Sequence, residues 1–254
     1  MKEYKIVPLA LSDVLKIPAA SFYYKQYTGD PVELVYGCLA VVDPETNDII
    51  MIDTGLAKQA DIEKYGWPFR RMPGAPNLDD VMAAKGLDPL NVKKIIFTHL
   101  HQDHCFNLEL FPNAKELYVQ KEELMHAVTP MPIEAKSYQK YDLPGLPSWA
   151  PYWGRMIAKK GDYHVQDGID VIFTPGHTPG SQSVIVHTAE GDYVCVGDNY
   201  YSVEQYEKVR MNGNFTNLEG WYDSHERVRA YLETHKAAIM MTHSPLTYER
   251  EIWG

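Results

Sequence analysis

Lys93-Lys94-Ile95-Ile96-Phe97-Thr98-His99-Leu100-His101-Gln102-Asp103-His104 is the stretch on which the fold turns. Its first five residues read as a short strand with an apolar tail, running straight into Thr98 and His99. Four potential metal ligands then fall within six residues: His99, His101, Asp103 and His104. His99 and His101 stand two apart, so on an extended loop they project to the same side. Asp103 and His104 follow where the chain is expected to turn into a helix through Leu108. One extended pair and one turn-borne pair can face each other across a pocket wide enough for two cations. Imidazole is the usual partner of zinc-like ions, and a carboxylate can bridge two of them. A lone His-x-His would be weak evidence; four ligand types this close together are much harder to read as surface chemistry.

Working outward, the same arrangement recurs. Val171-Ile172-Phe173-Thr174-Pro175-Gly176 delivers His177, Val194-Cys195-Val196-Gly197 delivers Asp198, and Ile239-Met240-Met241-Thr242 delivers His243. Ligands at strand ends can be aimed at one point by a rigid sheet. Further strands are expected at Leu34–Val42, Asp48–Ile52, Glu116–Val119, Asp170–Phe173, Ser183–His187, Tyr193–Val196 and Ala238–Met241. Helices are expected at Asn77–Lys85, with Asn77 as cap and Gly86 as stop, at Lys121–Ala127 and at Trp221–His235. His126, His164, His187, His225 and His235 follow no strand-end pattern and read as ordinary surface or hairpin residues.

The 254 residues, 45% hydrophobic, are enough for a large core, read as one domain over 1–254. The formal net charge is −10, and no basic run exceeds the pairs Arg70-Arg71, Lys93-Lys94 and Lys159-Lys160. That argues against a nucleic-acid groove and favours a neutral or modestly charged small molecule. No apolar stretch is long enough to cross a membrane. Met1-Lys2-Glu3-Tyr4-Lys5 leads into no clean apolar signal core, since Ser12 and Asp13 interrupt the mildly apolar Val7–Leu15. Cys38, Cys105 and Cys195 form no disulfide framework, and the expectation is a cytoplasmic protein.

The segment Thr98–His104 resembles the signature of the metallo-β-lactamase-fold hydrolases, and later stretches match that superfamily in order. These are Asp53-Thr54-Gly55, Thr174-Pro-Gly-His-Thr-Pro-Gly180, Gly197-Asp198 and Thr242-His243. The resemblance covers essentially the whole chain and implies an αββα sandwich with two metals at one edge between the sheets. It assigns one metal to His99, His101 and His177, and the other to Asp103, His104 and His243, with Asp198 bridging. Two divalent transition metals are implied, zinc first, with manganese, cobalt or iron as the other choices. Asp53 is implied as the carboxylate that orients a ligand; a helix- or turn-capping aspartate is the competing reading.

Asp198 at the bridging position sets the chain apart from the true β-lactamases, which carry Cys there or lack the bridge. The acidic balance counts against the RNA-processing branch, and His101 stands where the flavodiiron branch carries Glu. Asp198-Asn199-Tyr200-Tyr201 resembles the N-acyl-homoserine lactonases, which place a tyrosine three residues after the bridging aspartate. The continuation Thr178-Pro-Gly-Ser-Gln-Ser183 is similar to that branch as well. The implied reaction is opening of a lactone ring by a metal-bridging hydroxide, with Tyr201 stabilising the oxyanion and Asp103 or Asp198 moving the proton. One departure is Cys105-Phe106-Asn107, where those enzymes usually show Ala-Gly-Gly. The alternatives are a thioester or ester hydrolase of the glyoxalase-II type, or a non-catalytic metal- or ligand-binding sensor. The aromatic stretch Tyr138–Trp153 is expected to line either the pocket or a homodimer interface, and Tyr65–Phe69 forms a second aromatic loop.

Overall fold

The computed structural model describes residues 1–65, 75–139 and 145–254. Two sheets dominate. The first has six strands in the order Lys5–Ala10, Gly37–Val42, Ile49–Ile52, Val92–Ile96, Glu116–Gln120 and Met156–Lys159. The second has five, in the order Ala238–Met240, Gly191–Cys195, Gln182–Thr188, Ile169–Phe173 and Tyr163–Gln166.

The strand Ile49–Ile52 shows why its sequence is uniformly apolar. Ile50 and Ile52 pack between the sheets with Val171, Val184, Cys195 and Met240. Ile49 and Met51 point the other way, against Leu78 and Met82 of the helix Leu78–Ala84. With both faces buried, the polar alternation of a half-exposed strand disappears. On the far side, Ile185, Val194 and Val196 of the second sheet meet Trp221 and Val228 of the helix Leu218–His235. The result is the four-layer αββα sandwich.

Several boundaries differ from expectation. Leu34–Val42 is two strands, Val32–Leu34 and Gly37–Val42. The break serves His243: Val35 N–H donates to the His243 carbonyl, and His243 Nδ1 pairs with the Val35 carbonyl, both at 2.9 Å. No α-helix follows Asp103. Residues 102–104 form a turn, Asn107 adopts a left-handed conformation (φ 64°), and only the 3₁₀ segment Leu108–Leu110 follows directly. Asparagine tolerates that backbone, and its side-chain amide donates to the Thr54 and Leu56 carbonyls at 2.8 and 3.0 Å.

The strands Lys5–Ala10, Leu15–Ile17, Met156–Lys159 and Tyr163–Gln166 were not anticipated. Lys5–Ala10 carries Pro8, which reads as a strand breaker; it lies at the edge of the sheet, where a missing N–H is tolerated. His225 is a correction too: it is buried, with Nδ1 2.8 Å from the Tyr200 hydroxyl. Among the described residues no helix is long and apolar enough to cross a membrane.

Candidate metal centre

Each proposed ligand leaves a strand in a direction the sheets impose. Ile49–Ile52 and Val92–Ile96 run parallel, so Asp53 and the loop Phe97–His104 emerge side by side, with Asp53 N–H donating to the Ile96 carbonyl at 3.0 Å. Gly191–Cys195 and Ala238–Met240 are also parallel and release Asp198 and His243 at the same end. Gly197, between strand and ligand, has φ +54°, and a Cβ there would lie 2.8 Å from Thr98, so this turn requires glycine.

Among the described residues two groups could each hold a cation: His99, His101 and His177, and Asp103, His104, Asp198 and His243. Within each group the ligand atoms lie within 4.8 Å of one another. Asp198 reaches both. Its Oδ1 is 3.1 Å from Nε2 of His104 and of His243. Its Oδ2 is 3.5 Å from His177 Nε2 and 3.9 Å from His99 Nε2. Asp103 Oδ2 stands 3.7 Å from Nε2 of His104 and of His243. His101 presents Nδ1, 3.1 Å from His177 Nε2.

The opposite nitrogens are occupied. His104 Nδ1 pairs with Asp53 Oδ2 at 2.8 Å, His177 Nδ1 with the Asn214 carbonyl at 2.9 Å, and His99 Nδ1 with Thr98 Oγ1 at 3.0 Å. A ring whose Nδ1–H is taken offers a lone pair at Nε2. Among the described residues, the buried Nε2 atoms of His99 and His104 have no hydrogen-bond partner. Buried polar atoms are rarely left so, and these residues fit a pair of cations.

Electrostatics sorts the groups. Burial and neighbouring imidazoles hold His99 and His101 well below the usual histidine range, hence neutral. Burial also pulls His104 and His243 down, but Asp198 and Asp103 outweigh it and raise both. Asp198 is lowered well below the carboxylate range, because His243 and His104 overcome its burial.

Residues 38–229 match the family model of the metallo-beta-lactamase superfamily. The chain belongs to that superfamily. It is 32% identical over 172 residues to the N-acyl homoserine lactonase AttM of Rhizobium radiobacter, a match spanning 65% of this chain and 63% of that protein. Similarity to AttM of Rhizobium johnstonii is 28% over 252 residues, covering 93% of this chain and 92% of that one. A solved N-acyl homoserine lactone hydrolase, with its product N-hexanoyl-L-homoserine at the catalytic metal centre, superposes with a TM-score of 0.77. Its identity is 22%, and the superposition covers 97% of this chain and 95% of the other.

In this superfamily member the groups open onto a cavity of 370 Å³ lined by His101, Gln102, Asp103, Asp198, Tyr201 and His243. Phe22, Leu34, Tyr36 and Leu56 form its apolar wall. The Tyr201 ring meets Phe22 edge-on at 4.9 Å. Burial, with Asp198, Asp103 and Tyr36 nearby, raises the Tyr201 hydroxyl well above its ordinary range, so it stays a donor. Its backbone N–H donates to Gln205 Oε1 at 2.7 Å; Gln205 in turn donates to Asn212, which donates to the Asp198 carbonyl.

Among the described residues, the aromatic stretch Tyr138–Trp153 does not supply that wall. Tyr138 and Trp149 are core residues, Trp153 is 58% exposed, and Ala150–Arg155 forms a 3₁₀ helix. Tyr141 and residues 66–69 of the second aromatic loop lie outside the described residues. Phe22 and Tyr36 went unnoticed because neither belongs to a ligand-bearing motif, and only the fold brings them to the cavity wall. Glu123, fully buried behind the histidines, was missed as well.

Proposed function

We propose that the chain is a dinuclear metal-dependent hydrolase that opens lactone rings, with N-acyl homoserine lactones as the favoured class. The observation that carries this reading is Asp198, whose two oxygens face different histidine groups. His99, His101 and His177 would hold one divalent cation, Asp103, His104 and His243 the other, and Asp198 both. Imidazole-rich donor sets suit zinc first; manganese, cobalt and iron are the other candidates. When bound, such a pair supplies Lewis acidity and a water that ionises near neutral pH.

The protein's own residues do the rest. Tyr201 donates to the ring carbonyl oxygen as negative charge grows there. Asp103, on the cavity wall with a side chain 20% exposed, receives a proton and returns it to the departing alkoxide. Phe22, Leu34, Tyr36 and Leu56 bind an acyl group, while Ser21, Gln102 and Asn214 meet polar atoms. The reading takes 1–254 as one domain. Three buried cysteines outside any disulfide support a cytoplasmic location.

The test is a panel of lactones and thioesters assayed by acid release, with metal measured in the same preparation. We expect acid from N-acyl homoserine lactones and close to two equivalents of metal. Release from thioesters but from no lactone would overturn the substrate class.

A further inference from the structure

We infer that Glu123 is a positioning residue for one half of the metal centre: it holds the loops that carry His99, His101 and His177, and sets the metal affinity of that group alone. The inference rests on the dinuclear reading above.

Glu123 lies in the helix Lys121–Val128, fully buried. Its Oε1 accepts from Leu100 N–H at 2.8 Å and from the Tyr138 hydroxyl at 3.0 Å. Its Oε2 accepts from the Thr178 hydroxyl at 2.6 Å and from Gly180 N–H at 3.2 Å. These partners are not scattered. Leu100 separates His99 from His101, Thr178 follows His177, and the Tyr138 ring packs on His101 at 4.7 Å between centroids. One carboxylate therefore ties together two loops that arrive from different sheets.

A buried carboxylate is costly unless its oxygens are satisfied, and here four donors converge on it. His101 gives the arrangement its purpose. Its Nε2 is buried with no hydrogen-bond partner among the described residues, unlike the occupied outer nitrogens of His99, His104, His177 and His243. Its ring is placed instead by backbone and packing, through Leu100 and Tyr138, and both of those depend on Glu123. The hydrogen bonds of Glu123 reach neither Asp103, His104, Asp198 nor His243.

Glu123→Gln keeps length and shape but turns an amide N–H₂ onto two of the four donors, whichever way the amide faces. Losing a partner that orients metal ligands typically costs about 10- to 100-fold in metal affinity. The experiment titrates metal-free protein with Co²⁺, following the visible bands and competition with a chelator. Glu123→Gln is compared in the parent, in His243→Ala and in His101→Ala. We expect the parent to bind two Co²⁺ and Glu123→Gln to weaken one of them about 10- to 100-fold. The added loss should persist in His243→Ala and vanish in His101→Ala.

Thr178→Val, which deletes one donor and keeps the side chain's shape, should act in the same direction but less strongly, and covers the case in which Glu123→Gln does not fold. Equal losses in both backgrounds, or no loss in the parent, would overturn the inference while leaving two metals in place. A parent that binds fewer than two Co²⁺ would overturn it together with the dinuclear reading.

Discussion

Two buried carboxylates, Asp53 and Glu123, stand behind the metal centre and act in different ways. Asp53 leaves the end of Ile49–Ile52 in a left-handed backbone conformation (φ 60°) and touches an imidazole directly. It accepts from His104 Nδ1 at 2.8 Å, Thr98 N–H at 2.7 Å and Thr98 Oγ1 at 2.8 Å. Through Thr98 it also reaches His99. Glu123 hydrogen-bonds no imidazole and holds backbone, a tyrosine hydroxyl and a threonine hydroxyl instead. Asp53 thus sets a tautomer, whereas Glu123 sets the spacing between loops. A tautomer is a two-way choice whose reversal takes the lone pair away from the cation; loop spacing is graded.

The largest effect is therefore expected at Asp53. Asp53→Asn keeps an acceptor but can present an amide donor to His104 Nδ1, which favours the tautomer with its proton on Nε2. Metal held by Asp103, His104 and His243 should weaken at the upper end of the range, about 100-fold, with activity lost alongside it. Chelator competition reads this directly. If Asp53→Asn weakens the cation of His99, His101 and His177 as much as that of Asp103, His104 and His243, the contrast between the carboxylates is wrong.

Tyr201→Phe sharpens the contrast from outside, because Tyr201 belongs to neither carboxylate's set of partners. Metal content should not change, while kcat falls more than substrate binding weakens, since the hydrogen bond strengthens as the oxyanion forms. A single donor of this kind is worth roughly 100- to 1,000-fold in rate, and the cations share the charge here, so the low end or less is expected. Full kcat on every lactone the parent opens would leave Tyr201 a packing residue.

The two carboxylates also differ in how readable they are. Asp53 could be found because an expected strand ends in Asp-Thr-Gly and that stretch resembles the superfamily's, the resemblance alone implying its role; strand ends are where sheet physics puts sites. The same logic picked out His177, Asp198 and His243, which the fold brings together with the Thr98–His104 loop. Glu123 sits in Lys121-Glu122-Glu123-Leu124, where acidic residues in a helix's first turn normally face water. One signal was present: Glu123 and Ala127 are four apart and share the buried stripe, so a charge lies on the apolar face. Its partners, at Leu100, Tyr138 and Thr178–Gly180, are long-range and invisible to local pattern. Helix type failed after Asp103 for a related reason, because Asn107 takes its conformation from Thr54 and Leu56, some fifty residues away.

Gly180→Ala probes the closeness of the Glu123 clamp, and the smallest effect on turnover is expected from it. A Cβ at position 180 would stand 2.1 Å from Glu123 N, 2.3 Å from its Cβ and 2.5 Å from its Cα. Those atoms belong to the helix itself and cannot swing aside as a side-chain tip would. The loop carrying His177 must therefore move off the helix, stretching the Gly180 N–H and Thr178 hydroxyl bonds to Glu123. Overpacking of this kind costs about 1–3 kcal/mol, and each kcal/mol lowers the melting temperature of a domain this size by about 2–4 °C. Gly86→Ala is the matching control: it also puts a side chain in a tightly built protein, but at φ +69° with nothing within 4 Å. Both variants should melt earlier. Only Gly180→Ala should also weaken Co²⁺ binding by the three histidines, by less than Glu123→Gln does, because the carboxylate itself remains. If Gly180→Ala melts with the parent and binds Co²⁺ as tightly, the loop is not resting on the helix, and Glu123 has no mechanical hold on His177.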